Sequence, residues 1–231
     1  MNELSLRMIE AVAQGLDDLN ENVAFVGGAV AGLYADDPAS EDARPTMDVD
    51  CVLQLGTMKD LYALEETLRI RHFQHDTESG IICRWIYKKW VQDIVVDIMP
   101  TDEHILGFSN RWYAKGMANK RKHLLPNGYT IHIFPVTYYL ATKLEAIASR
   151  GGNDLRQSHD FEDFIYVLNG CTTIKKDLCT ISDEELRFYL TDKFQTLRKN
   201  ANIEECIECV LPYGEEERCE YILSLLEIFS K

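Results

Sequence analysis

No stretch of the 231 residues comes near the roughly 20 consecutive apolar side chains that a helix needs to cross a bilayer. Even the run from Ile94 to Met99 carries Asp97 inside it. The N-terminus lacks the basic-then-apolar order of an export signal. Bases are scarce: 24 Lys and Arg stand against 38 Asp and Glu, for a net charge of -14 and a pI near 4.8. A chain of that sign is repelled by phosphate backbones, which excludes general nucleic-acid binding. The cysteines lack an even count: seven are scattered through segments that read as strands and helices, which suits reduced, buried thiols better than a disulfide framework. Internal repeats and low-complexity tracts are missing too. Together these absences predict a soluble cytoplasmic protein with no membrane partner.

What is present is globular composition, 46% hydrophobic and 27% charged, enough for one substantial core or two small ones. The charge is uneven. From Asp177 onward there are 13 acids against 6 bases, a net of -7. Between Asn110 and His123 the balance reverses: Arg111, Lys115, Lys120, Arg121 and Lys122 occur with no acid. Such an island is either a solvated loop face or a holder of anions.

Residues 3 to 19 carry Leu4, Met8, Ile9, Val12, Leu16 and Leu19 at helical spacing, an amphipathic first helix. Val23-Ala24-Phe25-Val26, closed by Gly27-Gly28, reads as a buried strand entering a tight turn, with a helix over 29 to 34. A loop, 35 to 45, precedes a strand over 46 to 55, and 61 to 68 fits a helix. The runs 81 to 87 and 94 to 99 read as an antiparallel hairpin. After the basic island, 129 to 134 reads as a strand, and Pro135 opens a helix over 136 to 150. Gly151-Gly152 breaks it, a helix over 160 to 168 follows, and two or three more fill 182 to 229. The expected class is α+β: a small mixed sheet with flanking helices over 1–134, followed by a helical domain over 135–231.

Asp48 and Asp50, two apart in the apolar strand Met47-Asp48-Val49-Asp50-Cys51-Val52-Leu53, fall on one face. Carboxylates that close need a positive charge between them, most simply a divalent cation; taken alone, the pattern equally suits a solvent-facing edge. Gly27-Gly28 before a helix offers backbone N–H groups of the kind that hold phosphate. Asp97, inside Ile94-Val95-Val96-Asp97-Ile98-Met99, needs a metal or a cationic partner if buried. Asp93 shares its parity but sits at the hairpin turn and reads as solvated. Cys206-x-x-Cys209 with Cys219 is a poor zinc set, since no histidine follows His159. Trp112-Tyr113 reads as core, with stacking on a nucleobase as the alternative.

Gly27-Gly28, then Arg44-Pro45-Thr46-Met47-Asp48-Val49-Asp50, then Val96-Asp97, resemble the signature of the nucleotidyltransferases of the DNA polymerase β superfamily. Lys143-Leu144-Glu145-Ala146, Arg150 and Asp160-Phe161-Glu162-Asp163 resemble the helices of the minimal nucleotidyltransferases, particularly the AbiEii toxin-like branch. The resemblance covers about residues 23 to 170. The stretch from Ala29 to Met47, between Gly28 and Asp48, is longer than the family's usual gap, and the excess falls in the acidic loop Asp36 to Asp42.

The resemblance implies transfer of an NMP from an NTP to an acceptor hydroxyl, with Asp48, Asp50 and Asp97 as catalytic and metal residues for two Mg²⁺ or Mn²⁺ ions. Gly27, Gly28, Thr46 and Lys143 would bind nucleotide. The acceptor is open: an RNA end, a protein hydroxyl or a small molecule. Two other readings stand beside this one: a catalytically silent nucleotide- or partner-binding module of the same fold, with an antitoxin-like protein partner, and a two-metal hydrolase. Asp160 and Asp163, on one helix face with Arg156 one turn before Asp160, read as a docking salt bridge at least as readily as catalytic groups.

Overall fold

The computed structural model describes residues 2–150 and 154–231, so the expected Gly151-Gly152 break lies outside the described residues. The chain forms two compact units, the first from Met1–Val30 and Arg44–Pro135, the second from Ala31–Ala43 and Val136–Lys231. Among the described residues no helix is long and apolar enough to cross a membrane.

The first unit is built on a seven-stranded mixed sheet: β1 (Val23–Val26), β2 (Asp48–Leu53), β3 (Phe73–His75), β4 (Arg84–Tyr87), β5 (Ile94–Pro100), β6 (Arg121–Leu124) and β7 (Thr130–Ile133). Their order is β3-β4-β5-β2-β1-β7-β6. β2 runs parallel to β5 and antiparallel to β1, and β4 and β5 form the expected antiparallel hairpin. Among the described residues, four α-helices belong to this unit: α1 (Glu3–Leu16), α2 (Met58–Ile70), α3 (Glu103–Leu106) and α4 (Tyr113–Ala118).

Helix α1 starts where the Asn2 side chain accepts from the N–H groups of Leu4 and Ser5, satisfying two of the donors a helix leaves open. It turns Met8, Ile9, Val12 and Leu16 into the core. It ends at Leu16 rather than Leu19, because 17 to 22 tighten into a 3-10 helix. Its Gly15 lies so near Tyr87 that an added Cβ would sit 2.7 Å from the ring. Strand alternation then puts Tyr87, Trp85, Ile94, Val96, Val49 and Cys51 on the face that α1 covers, all of them buried. Arg84, Asp97, Asp48 and Asp50 take the opposite face.

Two local expectations change. The turn after Val26 leads into a 3-10 helix, Gly28–Leu33, rather than an α-helix. The basic island is not a loop: it forms α4 and the edge strand β6, where Lys122 pairs opposite His132 of β7.

The second unit is helical: α5 (Val136–Arg150), α6 (His159–Gly170), α7 (Ile174–Cys179), α8 (Glu184–Arg198), α9 (Ile203–Glu208) and α10 (Glu216–Ile228). Pro135 immediately precedes α5, and Ser158 caps α6 by accepting from the Phe161 N–H at 3.2 Å. Its core stacks Phe164 edge-on to Phe194, with ring centroids 5.8 Å apart, beside Ile207, Ile222 and Leu225.

Ala31–Ala43, which holds the acidic loop, is strapped onto these helices. The N–H groups of Asp36 and Asp37 both donate to the Gly170 carbonyl at 3.0 Å. Thr172 donates its N–H and hydroxyl to the two Asp36 oxygens at 2.8 and 3.0 Å. These bonds, the backbone N–H first, hold the Asp36 carboxyl below its usual range. Arg218 reaches Asp37 at 3.4 Å, and Tyr166 donates to the Glu41 carbonyl at 3.0 Å. The approach is close enough that a Cβ on Gly170 would lie 2.7 Å from that of Ala35.

Candidate functional site

β2 and β5 lie side by side at the middle of the sheet with Asp50 in register with Asp97, and β4 brings Arg84 into register with Asp97 from the other side. Registered partners point the same way, so Asp50, Asp97 and Arg84 line up across three strands, with Asp48 on the same face one pleat away. Asp97 is buried at 8% exposure, whereas the Asp48 side chain is 41% exposed.

The charge Asp97 requires comes from Arg84, which sequence reasoning did not single out. Its Nε donates to Asp97 Oδ1 and its Nη2 to Oδ2, each at 2.8 Å, the two-point geometry that suits guanidinium and carboxylate best. The same Nη2 stands 4.0 Å from Asp48 Oδ2. The bonds to Asp97 hold the Arg84 guanidinium above its ordinary pKa. The negative field reaches two thiols as well: burial, then Asp97, pushes Cys83 up to about 11, and burial with Asp50 and Asp97 raises Cys51 well above its usual value.

The turn after β1 closes over Asp50. Val26 is in register with Asp50, and Gly27 follows with φ +71°, a left-handed backbone that side chains resist. A Cβ on Gly27 would lie 1.8 Å from Asp50 Oδ2. Gly28 is buried and opens the 3-10 helix. Thr46 is also buried, at 3% exposure, and its hydroxyl lies 3.4 Å from both the Ser5 hydroxyl and the Asp48 carbonyl. That places Thr46 between α1 and the start of β2, where it fixes the entry of the acidic strand.

Lys143 belongs to the helical unit, where it is buried at 5% exposure. Its Nζ donates to Asp163 Oδ2 at 2.6 Å and Asp160 Oδ1 at 3.1 Å, and Arg150 closes on Asp160 from Nε at 2.9 Å. Burial pushes the Asp160 carboxyl up, but Lys143 and Arg150 prevail and hold it below its usual range. The cluster ties α5 to α6, but through Lys143 and Arg150 and not Arg156, which pairs with Asp154 and Glu205; a triphosphate would have to break both pairs to reach Lys143.

The basic island divides. The Tyr113 hydroxyl donates to Met99 Sδ at 3.5 Å, and Met99 lies two residues past Asp97 on the same face, so α4 lies along the acidic face of the sheet. Trp112 is buried at 1% exposure, with Arg111 5.0 Å and Lys115 5.8 Å from its ring centre; it is core, not a platform for a base. Lys120 to Lys122 reach the far sheet edge, separated from β2 by β1 and β7. Asp93 pairs with Lys88 at the exposed hairpin turn.

Among the described residues no three His, Cys, Asp or Glu side chains are gathered closely enough to hold a metal ion. Asp48, Asp50 and Asp97 share a face and adjoining registers without closing into a ligand cluster, and Arg84 has engaged the third. Divalent ions take hard oxygen donors, and in that respect Asp48 and Asp50 fit Mg²⁺ or Mn²⁺. Asp97 has both its oxygens on Arg84.

No protein-family model matches this chain, and no curated protein matches it. Among solved structures, the fold is similar to that of an antigenic nucleotidyltransferase-like protein from Paracoccidioides brasiliensis, with a TM-score of 0.55 at 19% sequence identity. That match covers 90% of this chain and 94% of the other. The α+β architecture is therefore of the nucleotidyltransferase-like kind.

Proposed function

We propose that this protein is a metal-dependent nucleotidyltransferase that moves an NMP from an NTP to an acceptor hydroxyl and releases pyrophosphate. The observation that supports it most is the alignment of Asp50, Asp97 and Arg84 across three strands, under a glycine turn that lies close against Asp50. Asp48 and Asp50 would hold Mg²⁺ or Mn²⁺, with Asp97 joining when free of Arg84. Bound divalent ions supply neutralisation of the phosphate charge and make the acceptor hydroxyl more acidic. The bond that forms is acceptor oxygen to the α-phosphorus; the bond that breaks joins the α-phosphorus to the bridging oxygen, which leaves with pyrophosphate. Asp97 accepts the acceptor's proton, and the Gly27-Gly28 turn lies against the phosphates. The acceptor is an RNA end, a protein hydroxyl or a small molecule, and the setting is the cytoplasm.

One observation favours a second reading. A third acid already saturated by an arginine suits a catalytically silent nucleotide- or partner-binding module, such as a toxin-antitoxin component with an antitoxin-like partner.

The test is incubation with each α-labelled NTP, Mg²⁺ and cell lysate, followed by separation of labelled RNA, protein and small molecules. Label on an acceptor together with pyrophosphate, lost about a hundredfold or more in Asp48→Asn, supports transfer. Free NMP without labelled acceptor means hydrolysis. No label anywhere, with thermal shifts alike in EDTA and Mg²⁺, supports the silent module.

A further inference from the structure

Arg84 occupies the position where the site's charge calls for a cation. Both oxygens of Asp97 are taken by its Nε and Nη2 at 2.8 Å, and the same Nη2 lies 4.0 Å from Asp48. A guanidinium does not lose its proton in a protein, so it cannot step aside by titrating. A divalent ion that takes Asp97 meets this fixed positive charge on the same two oxygens. Two cations on one carboxylate repel, and the competition is settled by movement of the arginine.

The released side chain has an evident alternative. Its side chain is 22% exposed, so it is open to solvent rather than sealed in the sheet. A guanidinium fork matches phosphate oxygens as well as it matches carboxylate. We propose that Arg84 is an exchangeable counter-ion: it holds Asp97 in the ion-free protein, and when a divalent cation takes the carboxylates it turns to the phosphate tail of the nucleotide. This rests on the nucleotidyltransferase reading of the site and adds a residue to it.

The exchange leaves a thermodynamic signature that a merely structural arginine does not. Arg84 competes with the metal ion and assists the nucleotide, so removing it moves the two affinities in opposite directions. In the wild-type protein the ion and the nucleotide should tighten each other's binding by the same factor, since coupling between two ligands is reciprocal.

The experiment titrates the full chain with Mn²⁺ alone, following free Mn²⁺ by its EPR signal. It then titrates the Mn²⁺-saturated protein with the α,β-methylene analogues of the four NTPs by calorimetry. Arg84→Met should bind Mn²⁺ about fivefold or more tightly than wild type, and the analogue about fivefold or more weakly, the range usual for coupled sites. Arg84→Lys, which keeps the charge and loses the fork, should lie between on both scales. It carries the test if Arg84→Met does not fold, as judged by circular dichroism.

Loss of both affinities in the variants, or no change in either, overturns the proposal. In the second case, a wild type that binds Mn²⁺ and analogue leaves the nucleotidyltransferase reading standing. A wild type that binds neither overturns both.

Discussion

Gly27 and Asp50 share a space that admits only hydrogen. A Cβ on Gly27 would lie 1.8 Å from Asp50 Oδ2, 2.6 Å from Cγ and 2.9 Å from Cβ, and the Gly27 backbone is left-handed at φ +71°. The Gly-Gly turn and the Asp-x-Asp strand, separate motifs in the sequence, are thus two sides of one packing contact.

Gly27→Ala should therefore cost about 1–2 kcal/mol from the backbone alone, with more from the displaced Asp50. The urea midpoint measures the first. A loss of Mn²⁺ binding that exceeds the loss of stability measures the second. A substitution without effect on either would mean that the turn relaxes freely.

Lys143 sits between two acids in a buried cluster, so Lys143→Met should destabilise by about 3–5 kcal/mol, because it takes a cation from two buried carboxylates. Adding Asp163→Leu should restore part of the loss, since both sides of the Lys143–Asp163 pair are then apolar. Guanidinium unfolding of the two single variants and the double variant closes the cycle. Additive losses would show that the pairs are not coupled.

The same cluster sets an acid limit. The Asp160 carboxyl is lowered from its usual 3.8 in the folded protein, so folding is favoured above that value and the advantage drains away as pH falls through the lower, folded value. The urea midpoint should hold steady across neutral pH as far as this group is concerned and fall below about pH 4. In Lys143→Met, with the nearest cation removed, the Asp160 carboxyl is lowered less, so that fall should be smaller.

All seven cysteines are free, and only Cys179 and Cys209 are exposed. A thiol reagent at pH 8 should react quickly with two groups in the native protein and with seven after denaturation. Cys83, raised to about 11 by burial and Asp97, should be among the slow ones. Early modification of more than two thiols would mean that the sheet opens readily.

Much of the site was legible from strand parity and order. Asp48 and Asp50 share a face because alternate residues of a strand must. The hairpin placed Asp97 beside them. Arg84 was legible as well: if Tyr87 faces Ile94 across the hairpin, Arg84 faces Asp97, and the register was there to be counted. An arginine in an apolar run, however, carries no motif that marks it. β6 was hidden for a different reason. Its residues, Arg121-Lys122-His123-Leu124, are exposed or half-buried, so no apolar alternation marks them; the strand exists because the backbone pairs with β7. β3, at three residues, is too short for periodicity to act. The engagement of Lys143 with Asp160 and Asp163 depends on how α5 meets α6, which no spacing along one helix discloses.

The acidic strap has a consequence for how the chain is made. Ala31–Ala43 leaves the ribosome early, yet Thr172, which holds Asp36, lies 136 positions later, and Arg218, which holds Asp37, lies 181 later. The helical unit thus cannot finish folding on its own schedule; one of its pieces waits through synthesis of β2 to β7. Contacts so distant in sequence slow closure. A gene cut after Pro135 would give two fragments, the first carrying a strap with nothing to grip and the second leaving Gly170, Thr172 and Arg218 without their partners. The two units are interleaved in one message, and the strap is the piece that a cut after Pro135 parts from the helices it binds.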